Sequence, residues 1–175
     1  MDKNLYVGTD FTQEFYHQDQ LAVQKLLMEK QGFIKGAFYR SDIGDIDLVW
    51  GNDDFGLCHI LKQRSKQFGE VKALKFISHL EENIKNGVAI AMRRDRIGII
   101  TNQSSIVLEK SQSNHFILTA YIDRKNKLRL ENFQTIHDGN FIDESGSALN
   151  KGDDVLSSNQ SQDNTITKSP TKQTE

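Results

Sequence analysis

Short polar turns separate the apolar stretches in the second half of the chain, and this spacing limits the folds that the chain can adopt. From residue 88 onward, apolar and polar residues alternate with the period of two that is typical of β-strands. The turns are too short to hold crossover helices, so the strands must run largely antiparallel. The predicted strands are residues 88–92, 96–100, 105–110, 115–122 and 128–133.

The stretch HFILTAYI is the predicted strand with the clearest division into two faces. One face is expected to pack on helices, and the other face can carry a site. Strict alternation would place Phe116, Leu118 and Ala120 on one face, and His115, Ile117, Thr119 and Tyr121 on the other.

The first half of the chain has apolar residues mainly at helical spacing. A first helix is predicted to begin near Asp19, and a short strand is expected over residues 46–50. Two further helices are predicted over residues 55–68 and 70–86. Side-chain oxygens that could cap the second helix follow the short strand, on Asn52, Asp53 and Asp54.

Together these elements predict an α+β protein in which N-terminal helices pack on an antiparallel β-sheet of four to five strands. One domain of ordinary size accounts for residues 17–136, after an N-terminal strap over residues 1–16. From about residue 146 the composition shifts to Ser, Asn, Gln, Thr, Lys and Asp. Such a segment buries too little apolar area to offset the entropy lost on ordering. Residues 137–175 are therefore expected to be a linker and a disordered tail.

Charge and composition exclude several classes of protein. The 22 Lys and Arg nearly balance the 24 Asp and Glu, so the chain has no overall attraction to nucleic acid or membrane. The single cysteine, Cys58, cannot form an intrachain disulfide, which indicates a reducing compartment. No apolar run has the length of a signal peptide or a membrane span. We therefore expect a cytoplasmic protein with no membrane partner, unless a specialised route exports it, and neither a metal nor another cofactor is predicted.

Acidic and basic residues nevertheless occupy separate stretches of the sequence. Asp45 and Asp47 make the approach to the second helix acidic, and as acids two apart on an edge strand they are expected to be solvated. His59 lies between this acidic stretch and two basic clusters. The clusters could hold a phosphodiester, although on charge alone solvated faces of a soluble domain are favoured. The basic residues are Lys62, Arg64, Lys66, Lys72, Lys75, Arg93, Arg94 and Arg96.

Three blocks of sequence carry a more specific signal. GAFYRSDIGDIDLVWG, GLCHILKQR and NHFILTAY occur in this order and resemble the small phage- and mobile-element-associated nuclease domains grouped with barnase, EndoU, the tRNA-cleaving colicins and RelE. The resemblance runs from about Leu21 to about Arg124. It implies helices packed on an antiparallel sheet and a metal-independent endoribonuclease activity. The motif positions that it assigns to this chain are His59, Arg96, Lys110 and Thr119.

The reaction implied by the resemblance needs no metal, because RNA supplies its own nucleophile, the 2′-hydroxyl. A histidine with an ordinary pKa of about 6.5 suits proton transfer at neutral pH, which makes His59 the expected base or acid. Arg96 would stabilise the charge of the phosphorane, and Thr119 would donate a hydrogen bond to a non-bridging oxygen. Tyr121 could stack an RNA base. Lys62 and Lys110 would assist in holding the substrate.

Two other functions stay open at this point. Related sequences often continue the helix with a second histidine, where this chain has Lys62-Gln63-Arg64. The domain could therefore be a catalytically inactive module that binds RNA or protein, or an accessory protein of a phage or plasmid. If the domain is an active toxin, RNA, with tRNA as one candidate, would be its substrate, and an antitoxin or immunity protein would be its partner.

Overall fold

The computed structural model describes residues 3–136 of the chain. The chain divides into two units, Met1–Asn132 and Phe133–Glu175, and the sheet belongs to the first. The expected disordered tail lies outside the described residues. The helices are α1 (Thr12–Phe15), α2 (Gln20–Glu29), α3 (Gly56–Phe68), α4 (Glu70–Ile77), α5 (Leu80–Asn86) and α6 (Asn126–Ile136). The strands are β1 (Phe33–Arg40), β2 (Gly44–Val49), β3 (Val88–Ala91), β4 (Ile97–Ile100), β5 (Ser104–Lys110) and β6 (His115–Ile122).

The α+β class and the packing of helices on a sheet are confirmed, but the sheet is larger than expected. It has six strands in the order β1-β2-β6-β5-β4-β3. Neighbouring strands are antiparallel except β2 and β6, which are parallel, with Ile46 beside His115. This pair lies in the middle of the sheet and joins the β1–β2 hairpin to the four later strands. The sheet is thus largely antiparallel, as expected, but it has six strands where four to five were expected.

Strand β1 escaped prediction because glycine and a bulge interrupt its pattern. The register with β2 shifts between Ile34 and Phe38. Gly36 lies inside this shift with a φ of +66°, a conformation that favours glycine. The bulge also places both Ala37 and Phe38 in the core, where a regular strand would have placed only one.

Two predicted elements differ from the structure. The helix expected over residues 70–86 is broken between α4 and α5, because the side chains of Ser78 and His79 both bond the carbonyl oxygen of Lys75 (2.6 and 2.8 Å) and compete with the helical bond there. The strand expected over residues 128–133 is part of α6. Its alternation extends over too few residues to separate a strand from a helix.

One face of the sheet, the helix face, carries the main core. Helices α2, α3, α4 and α5 bury their apolar sides against it, and nearly all of these core side chains are fully inaccessible to solvent. Burial on this scale is the main source of the stability of the fold. The largest core residues are Leu26, Ile34, Phe38, Ile46, Leu48, Leu57, Ile60, Ile77, Leu80, Ile84, Ile99, Ile106, Leu108 and Ile117.

The opposite face, called the outer face below, has a smaller cluster of buried apolar residues. Residues 3–10, the N-terminal segment, lie against this cluster through Leu5 and Tyr6. The ring of Tyr6 also meets that of Phe33 edge to face, at 5.1 Å between centroids. The members of the cluster are Phe33, Val49, Phe55, Val107, Phe116 and Leu118.

A fully buried carboxylate, that of Asp47, ties the outer face together, whereas a solvated carboxylate was expected. Asp47 accepts hydrogen bonds from the hydroxyl of Tyr6 (2.6 Å), the main-chain N–H of Gly36 (2.8 Å) and the amide of Asn114 (2.8 Å). Burial and the bond to Asp47 raise the pKa of Tyr6 to about 12, so this hydroxyl donates throughout the physiological range. Three donors from distant segments make the burial of this charge tolerable.

We predict that Asp47→Ala lowers the free energy of unfolding by about 3 kcal/mol, because it leaves one buried and two half-buried donors without an acceptor. Urea denaturation followed by circular dichroism measures the change. Asp54→Ala, which removes an exposed carboxylate from the same part of the chain, is the control and should leave the stability unchanged. Equal stability of the two variants would contradict the role given to Asp47.

Candidate active site

A tight turn between β2 and α3 sets the position of the helix that carries His59. Gly51 has a φ of +75°, and a Cβ atom there would overlap the carbonyl oxygen of Phe55. The main-chain N–H of Asn52 bonds that same carbonyl (3.0 Å), and the N–H of Cys58 bonds the carbonyl of Trp50 (2.7 Å). The end of β2 thus supplies an acceptor for the first turn of α3.

The expected side-chain caps of α3 are wrong. The helix begins after Phe55, which makes no side-chain capping bond. The side chain of Asn52 instead accepts a bond from the N–H of Asp54 (2.8 Å) within the turn. Asp53 faces the helix and bonds Lys62.

His59 has a defined arrangement of its ring nitrogens. Its Nδ1 lies 2.7 Å from the main-chain carbonyl oxygen of Asp53. A carbonyl oxygen only accepts hydrogen bonds, so Nδ1 carries the proton of the neutral ring. The lone pair of the neutral imidazole is then on Nε2, as a general base requires.

Lys62 lies next to this histidine on the surface of α3. Its Nζ is 2.6 Å from Oδ1 of Asp53, and the bond raises the pKa of Lys62 and lowers that of Asp53. Both side chains are largely exposed, so the ion pair contributes little to stability. Burial raises the pKa of the neighbouring thiol of Cys58, which agrees with its interpretation as a packing residue and not a nucleophile.

Thr119 and Tyr121 lie on the strand against which α3 packs. Nη1 of Arg64 on the helix donates to the carbonyl oxygen of Ala120 (2.8 Å), between these two residues. Thr119 is opposite Val107, a residue of the outer-face cluster, so it faces the outer side of the sheet. His59 and Lys62 are therefore on the helix beside the strand segment that carries Thr119 and Tyr121.

The two faces of β6 are divided differently from the strict alternation expected. The register with β5 shifts between Val107 and Leu108, which is a β-bulge. Because of it, Ile117 and Ala120 both belong to the helix-face core. Phe116 and Leu118 belong to the outer-face cluster, where Ala120 was expected to join them.

Arg96 and Lys110 lie elsewhere on the sheet. Nε and Nη2 of Arg96 bond Oε1 of Glu109 (3.0 and 2.9 Å), and Lys3 bonds the other oxygen of that carboxylate (2.7 Å). Burial alone would raise the pKa of Glu109, but the bonds from Lys3 and Arg96 hold it below its usual value. Lys110 lines an open cavity of about 340 Å³ with Lys3, Glu109 and Phe116.

The predicted site residues thus fall into two groups. Within residues 3–131, the bonds that join His59 and Lys62 to Asp53 are separate from those that join Arg96 to Glu109. The ring of Phe55, just before α3, meets edge to face the ring of Phe116, which lines the cavity of Lys110, at 6.0 Å between centroids. The structure brings His59, Lys62, Thr119 and Tyr121 onto neighbouring elements and leaves Arg96 and Lys110 with Glu109.

Sequence reasoning missed several polar contacts. His17, for which no partner was named, bonds Asp45 through Nε2 (2.7 Å), and the hydroxyl of Tyr16 bonds the same carboxylate (2.8 Å). Glu109 and Lys3 were also missed. Glu109 directly precedes Lys110, but only the strand register shows that it faces Arg96. His137 lies outside the described residues.

Among the described residues, no three His, Cys, Asp or Glu side chains lie close enough to hold a metal ion together.

In the same part of the chain, no helix has both the length and the apolar character needed to cross a membrane.

A comparison with protein families shows the class of protein to which the chain belongs. The family described as phage-Barnase-EndoU-ColicinE5/D-RelE like nuclease 1 matches residues 37–127. The chain belongs to this family of nucleases, which confirms the resemblance seen in its sequence blocks. The match contains α3 and all of β2 to β6, and it leaves out the N-terminal segment, α1 and α2. No curated protein and no solved structure matches the chain significantly.

We predict that two histidines of this protein have opposite tautomers in their neutral forms. His59 should carry its proton on Nδ1, because Asp53 offers a carbonyl oxygen there, and His17 should carry its proton on Nε2, which faces the carboxylate of Asp45. Long-range ¹H–¹⁵N correlation spectra of labelled protein above pH 8 distinguish the two forms. An Nε2-protonated His59 would remove its free lone pair and contradict the geometry proposed for the base.

Proposed function

We propose that the protein is an endoribonuclease that cleaves RNA without a metal ion, through attack of the 2′-hydroxyl on the neighbouring phosphate. The observation that carries the proposal is the orientation of His59, whose Nδ1 is held by a main-chain carbonyl so that Nε2 is left as a base. Membership of a nuclease family supports the reaction class. The choice of RNA over DNA rests on the suitability of a single histidine for deprotonating a 2′-hydroxyl.

The chemistry requires one proton to leave and one to arrive. A base removes the proton of the 2′-hydroxyl, and O2′ forms a bond to phosphorus. The bond from phosphorus to O5′ then breaks, and an acid gives a proton to O5′. The products are a 2′,3′-cyclic phosphate and a 5′-hydroxyl end. We assign the first step to Nε2 of His59.

Other residues of the proposed site act on the phosphate and the bases. Thr119 donates its hydroxyl to a non-bridging oxygen, which gains charge in the phosphorane. Tyr121 stacks an unpaired base, and Lys62 attracts the RNA backbone. Arg96 also stabilises phosphate charge, assisted by Lys110, although Arg96 must exchange its bonds to Glu109 for bonds to the substrate.

The biological partners follow from this activity. A nuclease that cuts cellular RNA endangers the cell that makes it, so a toxin-like role implies an antitoxin or immunity protein that binds the site. Transfer RNA is a suitable first substrate, because its loops present unpaired bases that can reach an aromatic side chain.

We predict that the purified protein cleaves tRNA in excess EDTA and leaves 2′,3′-cyclic phosphate ends. His59→Ala should lower the rate by at least about 100-fold, because it removes the base. Gel electrophoresis with end-group analysis measures both results. His79→Ala is the matched control, since His79 also bonds a main-chain carbonyl through Nδ1.

Two outcomes would contradict the proposal. Cleavage that depends on added metal would overturn the chemistry, and full activity of His59→Ala would remove His59 from it. RNA binding without any cleavage by the wild-type protein would favour the inactive binding module instead.

We also predict that Thr119→Val lowers the cleavage rate by about 100-fold through loss of its hydrogen bond to the phosphorane, with little change in KM. Thr119→Ser keeps the hydroxyl and should retain most of the activity. Steady-state kinetics on a short RNA distinguish the two variants. Equal rates for Val and Ser would show that the hydroxyl does not act in the transition state.

A further inference from the structure

Arg64 has an unusual environment for a charged side chain. It lies in α3, one turn beyond His59, and only 7% of its surface is exposed. Its Nη1 donates to the carbonyl oxygen of Ala120 on β6 (2.8 Å). Its Nε is buried and has no hydrogen-bond partner.

Arg40 shows which hydrogen-bond partners a guanidinium group can have in this fold. Its Nη1 also donates to main-chain carbonyls, those of Ile84 and Gly87, at 2.7 Å each. Its Nε and Nη2 together bind both oxygens of Asp42 at 2.9 Å each. This paired edge is the one that guanidinium groups use for carboxylates and phosphates.

Like Arg40, Arg64 bonds a main-chain carbonyl, but in the part of the chain that the structure describes it has no paired carboxylate, unlike Arg40. Within residues 3–131, no carboxylate forms an ion pair with it, and Ala120 is its hydrogen-bond partner. Burial lowers the pKa of Arg64, as expected for a cation that has lost water and gained no counter-charge. A buried charge in this state is costly, so an anion that completes its bonding would bind favourably.

The location of Arg64 indicates which anion this is. The carbonyl that it bonds lies between Thr119 and Tyr121, and the helix that carries it also carries His59. An arginine of the proposed nuclease site is therefore held next to the strand residues that would meet the RNA. Arg96, in contrast, already presents its Nε and Nη2 to Glu109.

We propose that Arg64 binds a phosphate of the RNA backbone through the outer part of its guanidinium group, since Nε is closed to solvent, as the main anion-binding residue of the site. The inference rests on the proposed function for the identity of the ligand. It also gives a role to the residue that stands in the Lys62-Gln63-Arg64 stretch, where related sequences often have a second histidine. Arg64 would hold the phosphate in place and leave the proton transfer to His59.

The test compares Arg64→Met with Arg40→Met, which removes the same charge from a side chain that is already paired with Asp42 and has no role in the proposed site. A long apolar side chain suits the buried position, so Arg64→Met should fold. Arg64→Lys, which keeps the charge but not the planar guanidinium group, is the second variant. The probes are inorganic phosphate, read by thermal unfolding at constant ionic strength, and a 2′-O-methyl RNA oligonucleotide that cannot be cleaved by this route, read by fluorescence anisotropy.

We expect phosphate to raise the Tm of the wild type and of Arg40→Met, but not that of Arg64→Met. Oligonucleotide affinity should fall by about 30-fold in Arg64→Met and by an intermediate factor in Arg64→Lys. Wild-type phosphate response or affinity in folded Arg64→Met or Arg64→Lys would overturn the proposal. So would equal losses in the Arg64 and Arg40 variants. Neither readout needs cleavage, so a wild type that binds through Arg64 but cuts no RNA would refute only the nuclease activity.

Discussion

The outer face of the sheet depends on the hydrogen bonds that the buried carboxylate of Asp47 accepts. Asp47 lies on β2, beside the parallel partner β6, and is inaccessible to solvent. Its three hydrogen bonds reach the N-terminal segment, the bulge of β1 and the turn between β5 and β6. A charge buried this deeply requires all of its donors in place. The bulge, the turn and the segment are therefore parts of one arrangement.

Local patterns predicted the elements whose hydrophobic period is regular. Helix α3 and the four strands from Val88 to Ile122 follow their sequence patterns closely. The bulges in β1 and β6 were missed, because an extra residue shifts the faces without changing the composition. The parallel pairing of β2 with β6 was missed for another reason. It pairs Ile46 with His115 and Asp47 with Phe116, which are far apart in the sequence, and no local period shows which distant strand will be the neighbour.

The candidate site was predicted in part for the same physical reasons. His59 could be placed on the exposed side of a helix from its spacing alone. That its Nδ1 bonds the carbonyl of Asp53 depends on a turn that only the structure shows. Arg96 was selected as a cation, but the strand register determines that Glu109 neutralises it. Arg64 became informative only once its burial and its bond to Ala120 were known.

The long separation between β2 and β6 also affects when the site can form during synthesis. Arg64 bonds a carbonyl 56 residues further along the chain, so this contact between α3 and the sheet cannot form until β6 has been made. Translation adds residues at roughly 5–20 per second, and the ribosome tunnel delays the last strand further. A nascent chain that already exposes His59 therefore lacks Thr119, Tyr121 and the anchor of Arg64. The order of the strands therefore delays completion of the proposed site until β6 has been made.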